Sequence, residues 1–166
     1  LVPDEMALGV TFLDMGGQTT GISVYQDGRL VFADVIPIGG QHITNDIARG
    51  LATPVAHAER LKTLHGSAIP ALADERELVA VPLMGERGVD TIHKVPRSKL
   101  ISIIRPRLEE TFELVRERLA ASPFGEIASR SLVLSGGASQ LTGVRELASE
   151  LLDRHDGGGQ PSPLRA

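Results

Sequence analysis

The chain has 166 residues, 42% of them hydrophobic and none of them cysteine, with Lys+Arg 17 against Asp+Glu 21 and a formal net charge of -4. That is enough apolar material for one domain or two small ones. It excludes disulfides and thiolate metal sites, fits a reducing cytosol, and leaves no basic, aromatic-studded stripe for nucleic acid.

The chain opens at Leu1 rather than Met, without signal-peptide blocks, and reads as an excised piece whose shared sites are expected as halves. From Leu8 to Pro37 three apolar runs follow one another, "LGVTFLDM", "TTGISVYQ" and "RLVFADVI", with Asp27-Gly28 between the last two. An Asp-Gly pair between β-rich runs signals a tight hairpin, so a three-stranded antiparallel meander is predicted. Helical spacing takes over in "GGQHITNDIARGL" and "TPVAHAERLKTLHG", where Thr53 is expected to cap, Pro54 to open and Gly66 to end the second helix. "ELVAVPL" and "VDTIHKVP" then predict a small strand pair around "MGERG". Between Ser98 and Ala121 the apolar residues Leu100, Ile104, Leu108, Phe112, Val115 and Leu119 recur at three- and four-residue steps, the stripe of a core-facing helix. Pro106 lies inside it, so a kink or break near Ile104 is expected. "SRSLVLSGGASQLTG" predicts a strand, a Gly-Gly turn and a helix from about Val144 to His155, and residues 156–166 read as a flexible tail.

Two glycine turns carry the chemistry. In "LDMGGQTTG" an acidic residue leaves an apolar strand and meets Gly16 and Gly17. A bound phosphate requires converging backbone N–H groups, which glycines let the chain supply. Thr19 and Thr20 add hydroxyls, and Asp14 is placed to hold a magnesium ion directly or through water. The same residues also make an ordinary hairpin turn that needs no ligand. "LVLSGGASQLTG" repeats the pattern at Gly136-Gly137, where the small residues Ala138 and Ser139 leave room for a ring or a ribose. Between them Glu59 and Lys62 share one helical face, a spacing that suits either a hydroxylated ligand or a surface ion pair.

In order along the chain, a strand ending D-x-G-G-x-T-T, a meander, "IGG" before a helix, "AERLK" and a late "SGGAS" resemble the second half of actin-like ATPases. More narrowly, "DMGGQTTGISVY", "IPIGGQHITNDIARGL", "AERLKTLHG" and "PRSKLISIIRPRLEE" resemble the FtsA family of bacterial cell-division proteins, from about Leu8 through Leu152. The resemblance implies an α/β fold: an actin-like, ribonuclease-H-like mixed sheet with flanking helices and a small α+β insertion. It divides the chain into a nucleotide-binding part, 1–66 and 126–155, a small peptide-binding part, 67–125, and the tail. It places Asp14, Gly16, Gly17, Gln18, Thr19 and Thr20 on a phosphate loop, Gly136, Gly137, Ala138 and Ser139 on an adenosine loop, and Glu59 and Lys62 on the helix touching ribose and adenine, with ATP and Mg2+ as cofactors. Gln18 replaces a usual glycine, and Gly21 a usual acidic residue. The loop for the other side of the phosphates belongs to an opposing domain, so a half-site without turnover is expected.

The same resemblance implies that Arg107 and Glu110 in "RPRLEE", assisted by Lys94, Arg97 and Lys99, bind the C-terminal tail of the tubulin-like protein FtsZ. It further implies self-association into filaments, a place in the cytoplasm at the inner face of the cell membrane at the division site, and membrane attachment through a segment outside this sequence. The alternatives are a fragment of an actin-fold sugar kinase, which requires an acidic base near the cleft, or of a chaperone-like ATPase, which carries a long extension after the adenosine loop. The five histidines lack the spacing of a metal pair, "SGGAS" is not a hydrolase elbow, and Glu109, Glu110 and Glu113 also suit the wet face of a helix.

Overall fold

The computed structural model describes residues 9–85, 87–125, 131–152 and 164–165. Strands β1 (Val10–Met15), β2 (Thr20–Gln26) and β3 (Arg29–Ile36) form the expected antiparallel meander. Asp27 and Gly28, with φ of 50° and 74°, make a two-residue turn of the doubly left-handed kind that matches strand twist. Strand β6 (Leu132–Ser135) joins β1 in parallel, and β7 (Leu164–Arg165) joins β6 in parallel, giving the order β3-β2-β1-β6-β7. This corrects the tail in part: of residues expected to be free linker, Leu164 and Arg165 pair with Leu132 and Val133, where β6 has an open edge to offer. The remainder of the tail, like the predicted helix end at His155, lies outside the described residues.

Helices α1 (Gly40–Gly50) and α2 (Val55–His65) follow the meander. Thr53 does not cap α2. Its hydroxyl donates to the Pro82 carbonyl at 2.6 Å, fastening the interhelical loop to the strand pair, and the helix starts without a side-chain cap. Strands β4 (Leu78–Gly85) and β5 (Gly88–Pro96) pair antiparallel. Their inward residues Val79 and Val81 join the main core, while Leu78, Ala80, Ile92 and Lys94 share the opposite, exposed face, Ile92 at 70% exposure.

Helix α3 (Arg97–Ala121) runs unbroken through Pro106. Proline removes one hydrogen bond and crowds a turn, a cost of about 3 kcal/mol. On its two sides Leu100, Ile104, Leu108, Phe112 and Val115 are all buried in one core, and each such side chain contributes roughly 1.5–3 kcal/mol. Packing outweighs the local penalty. Helix α3 lies against α1 and against α4 (Val144–Leu152), which follows a 3-10 turn over Gly137–Gln140. Among the described residues no helix is long and apolar enough to cross a membrane.

Candidate functional site

Asp14 of β1 sits beside Ser135 of β6 in a parallel register, so both glycine bends leave the sheet at the carboxyl ends of adjacent strands. In parallel sheets, ligand crevices form at that edge. The alternation of β1 buries Leu13 and Met15 and leaves Asp14 exposed. The first bend, residues 16–19, is closed by the Gly16 amide donating to the Thr19 carbonyl at 2.9 Å. The first turn of α1 then holds it from behind, with Gly40 N–H on the Gly16 carbonyl at 2.9 Å and Gln41 N–H on the Gly17 carbonyl at 2.7 Å. Among the described residues, the amides of Gly17, Gln18 and Thr19 donate to no protein acceptor. These are the orphan donors an anion requires.

Two glycines make this closeness possible. A Cβ on Gly39 would lie 2.6 Å from the Gly16 oxygen and the Gly17 carbonyl carbon. Gly136, at φ +89°, is in the left-handed region, and a Cβ there would meet the Met15 oxygen at 2.4 Å and Asp14 Oδ1 at 2.8 Å. The second bend therefore rests directly on the end of the first strand.

Behind the bends, Thr44 of α1 organises a polar cluster with α2. Its buried hydroxyl donates to Glu59 Oε2 and accepts from Lys62 Nζ at 2.9 Å. Lys62 also donates to the Gly40 carbonyl at 3.1 Å and pairs with Glu59 at 2.9 Å. Burial pushes the Glu59 carboxyl up, but the hydrogen bonds from Lys62 and Thr44 and the Lys62 charge outweigh it, and the group ends below its ordinary value. A cleft of about 260 Å³ is lined by Gly16 and Gly17, by Gly40 and Gln41, by Glu59, Lys62 and Thr63, by Gly66, and by Gly137, Ala138 and Gln140 through Thr142.

Both bends and the Glu59–Lys62 pair thus face one cavity. Other candidates are arranged differently. Thr20 is buried and donates to the Ile38 carbonyl at 2.8 Å, and Ser139 donates to the Gly136 carbonyl at 2.6 Å, so both hydroxyls hold the backbone of the site. Gln18 and Thr19 are exposed on the bend. Thr44, Gly39 and Gln41 escaped sequence reasoning. The glycines of "IGG" were visible as a helix opening, whereas Thr44 becomes informative only once α2 is known to lie against α1.

The residues around α3 are engaged within the chain. Arg107 grips Asp46 of α1 with Nε and Nη2 at 2.7 and 2.9 Å and reaches Glu110 with Nη1 at 3.1 Å. The Asp46 hydrogen bonds raise the Arg107 guanidinium above its ordinary value, against the opposing effect of burial. Arg97 donates through Nε to the His65 carbonyl at 2.8 Å and through Nη1 to the buried Asp74 at 2.9 Å, with Glu77 at 3.6 Å. Lys94 and Lys99 are exposed and have no ion-pair partner among the described residues.

Known proteins carry the same pattern. The family model of cell division protein FtsA matches residues 11–164. Curated relatives named cell division protein FtsA include those of Rhizobium meliloti (strain 1021), 50% identical over 97% of this chain, and Agrobacterium fabrum, 48% identical over 97%. The chain spans 36% of the length of each. Among solved structures, MreB5 of Spiroplasma citri bound to AMPPNP superposes with a TM-score of 0.78 at 18% identity, covering 98% of this chain and 50% of that one. The fold is therefore actin-like, and the match selects the cell-division family over sugar kinases and chaperone-like ATPases. With its adjoining glycine bends and a family match over nearly all its length, this chain belongs to the FtsA family of cell division proteins.

Proposed function

We propose that the chain is the ATP-binding and peptide-binding lobe of a cell-division adaptor. The observation that carries this reading is the meeting of the two bends, Gly136 against Met15 and Asp14, at one edge of the sheet. The first bend, Asp14 and Gly16 through Thr20, would receive the phosphates on its unoccupied amides. The second, Gly136 through Ser139, would receive the adenosine, with Glu59 and Lys62 beside the ribose. MreB5 bound to AMPPNP, and the same protein bound to ADP, support a nucleotide in this fold.

A magnesium ion fits the donor set. Among the described residues no group of three or more metal-ligating side chains occurs, and Asp14 offers one exposed carboxylate at the phosphate bend. Mg2+ commonly keeps waters and takes one or two carboxylates with phosphate oxygens. It would supply charge neutralisation between the phosphates and Asp14. Only one side of a phosphate clamp is built from these residues, so binding without turnover is the activity proposed for this piece.

The part from 67 to 125 is proposed to dock the C-terminal tail of FtsZ, using Lys94, Arg97, Lys99, Arg107 and Glu110. The exposed face of β4 and β5 supplies apolar anchors in Leu78 and Ile92 next to Lys94, the composition a short acidic peptide requires. Helix α3 contacts both this strand pair and α1 with α4, and so joins it to the nucleotide-binding part, 1–66 and 126–155. In the whole protein, self-association and a tether at the inner membrane face of the division site complete the role. Calorimetric titration of the chain with an FtsZ tail peptide tests it: saturable binding is expected, and a flat titration would remove the adaptor reading.

A further inference from the structure

Arg107 has five N–H donors, and three are already taken by two carboxylates. Glu110 is the weaker holder: its side chain is 52% exposed, one turn away on the same helix, an arrangement that water and salt screen readily. Asp46 is different in kind. It sits on another helix, is 19% exposed, and takes the Nε and Nη2 groups together in a bidentate, charge-assisted pair. Arg49 approaches the same carboxylate at 3.5 Å, but at 80% exposure its charge is well hydrated and contributes little. An incoming carboxylate therefore meets a guanidinium whose charge is already balanced, and it must exchange with Asp46 or share Arg107 against repulsion.

We propose that Asp46 sets the affinity and selectivity of the chain for acidic peptides, as an internal competitor for Arg107. The inference rests on the reading that Arg107 receives an acidic tail. Because Asp46 holds two N–H groups in one plane, only a ligand carboxylate able to take both replaces what is lost. A ligand offering a single hydrogen bond leaves the internal pair in place. Asp46 also lies on α1, whose first turn fastens the Gly16 and Gly17 carbonyls, so the competitor is held by the same rigid element as the nucleotide bend.

The test is titration of an FtsZ C-terminal tail peptide into the native chain and into Asp46→Asn, which removes the competing charge with little change of shape. Binding by the variant about two- to fivefold tighter, or binding by the variant alone, is the expected result, the size of a charge interaction at a partly exposed, solvent-screened surface. Equal or weaker binding by the variant, with the native chain still binding, overturns the role of Asp46 and leaves the adaptor reading standing. Absence of binding by both overturns the two together. As a check that does not depend on the variant's folding, the Arg107 Nε–H resonance of the native chain is followed during the titration. It shifts at saturation if the peptide displaces Asp46, and an unmoved resonance under saturating peptide overturns the exchange.

Discussion

The two candidate surfaces of this chain are built on opposite terms. At the ends of β1 and β6 the groups available to a ligand are backbone amides that the fold leaves without acceptors, arranged by glycines whose Cβ would collide with the neighbouring bend. Around α3 the available groups are arginines, and there the fold has already supplied carboxylates from distant segments. A glycine bend advertises itself locally, because conformation and close approach are properties of a few adjacent residues. An arginine does not, because its partner is chosen by tertiary packing.

The largest effect that tests this contrast is at Arg97. Its partner Asp74 is a buried carboxylate that otherwise accepts only the Ala71 N–H, at 2.5 Å, among its described contacts. Arg97→Ala leaves that charge with half its partners, so a loss of about 3 kcal/mol in urea denaturation is expected. Were Arg97 a free recognition group, the loss would stay within about 0.5 kcal/mol, as at ordinary surface positions, and the contrast between the surfaces would fail.

On the glycine side a paired substitution is informative. Gly136→Ala places a methyl group against the Met15 oxygen at φ +89°, whereas a Cβ on Gly137 meets nothing within 4 Å. Strain and collision predict a loss of about 2 kcal/mol or more for the first and under about 0.5 kcal/mol for the second. Gly137→Ala is then the variant that isolates binding, since it crowds the cleft without moving the bend; titration with a fluorescent ATP analogue should show weakened affinity at unchanged melting temperature. Equal destabilisation by both would mean that the second bend is not shaped by its contact with β1.

What could be read from the sequence follows the same division. The meander, its Asp27-Gly28 turn and the buried stripe from Leu100 to Leu119 were all legible, because strand alternation, turn chemistry and helical period are local codes. The break allowed for at Pro106 does not occur, for the complementary reason: its penalty is local, while the burial that overrules it comes from packing against α1 and α4. Thr53 looked like a cap and instead serves Pro82, 29 positions away. In the candidate site the two bends and the Glu59–Lys62 pair were visible as motifs. Thr44 at their centre was not, since its part depends on how α1 and α2 cross, and Asp46 was hidden by the 61 positions that separate it from Arg107.

Thr44 gives a smaller and sharper test. Thr44→Val keeps the volume but removes the hydroxyl that donates to Glu59 and accepts from Lys62. Lys62 retains the Gly40 carbonyl and Glu59, so the destabilisation expected by thermal melting is about 1–2 kcal/mol, the range for a hydrogen bond whose partners are partly satisfied elsewhere. Nucleotide affinity should fall with it. A loss confined to stability, with nucleotide titration unchanged, would reduce the cluster to a brace between two helices.

The smallest effect concerns the sign of the Glu59 contribution. Its carboxyl titrates below its ordinary value of 4.5 in the folded chain, because the hydrogen bonds and charge of Lys62, with Thr44, overcome the upward push of burial. A lowered carboxylate value means that folding favours the ionised form. The associated stability is fully present above the unfolded value and disappears as pH falls through the folded one. Half of the Glu59 side chain is exposed, so solvent screening limits the contribution to a few tenths of a kcal/mol, about the size of a helical surface pair. Comparing the native chain with Glu59→Gln by urea denaturation should therefore show a small gap that is constant well above the ordinary carboxyl value of 4.5 and narrows as pH falls below it. A gap that widens on acidification would mean that burial dominates and that Glu59 is held protonated. Such a group would donate a hydrogen bond instead of accepting one, and the chemistry of the cleft on the Lys62 side would invert.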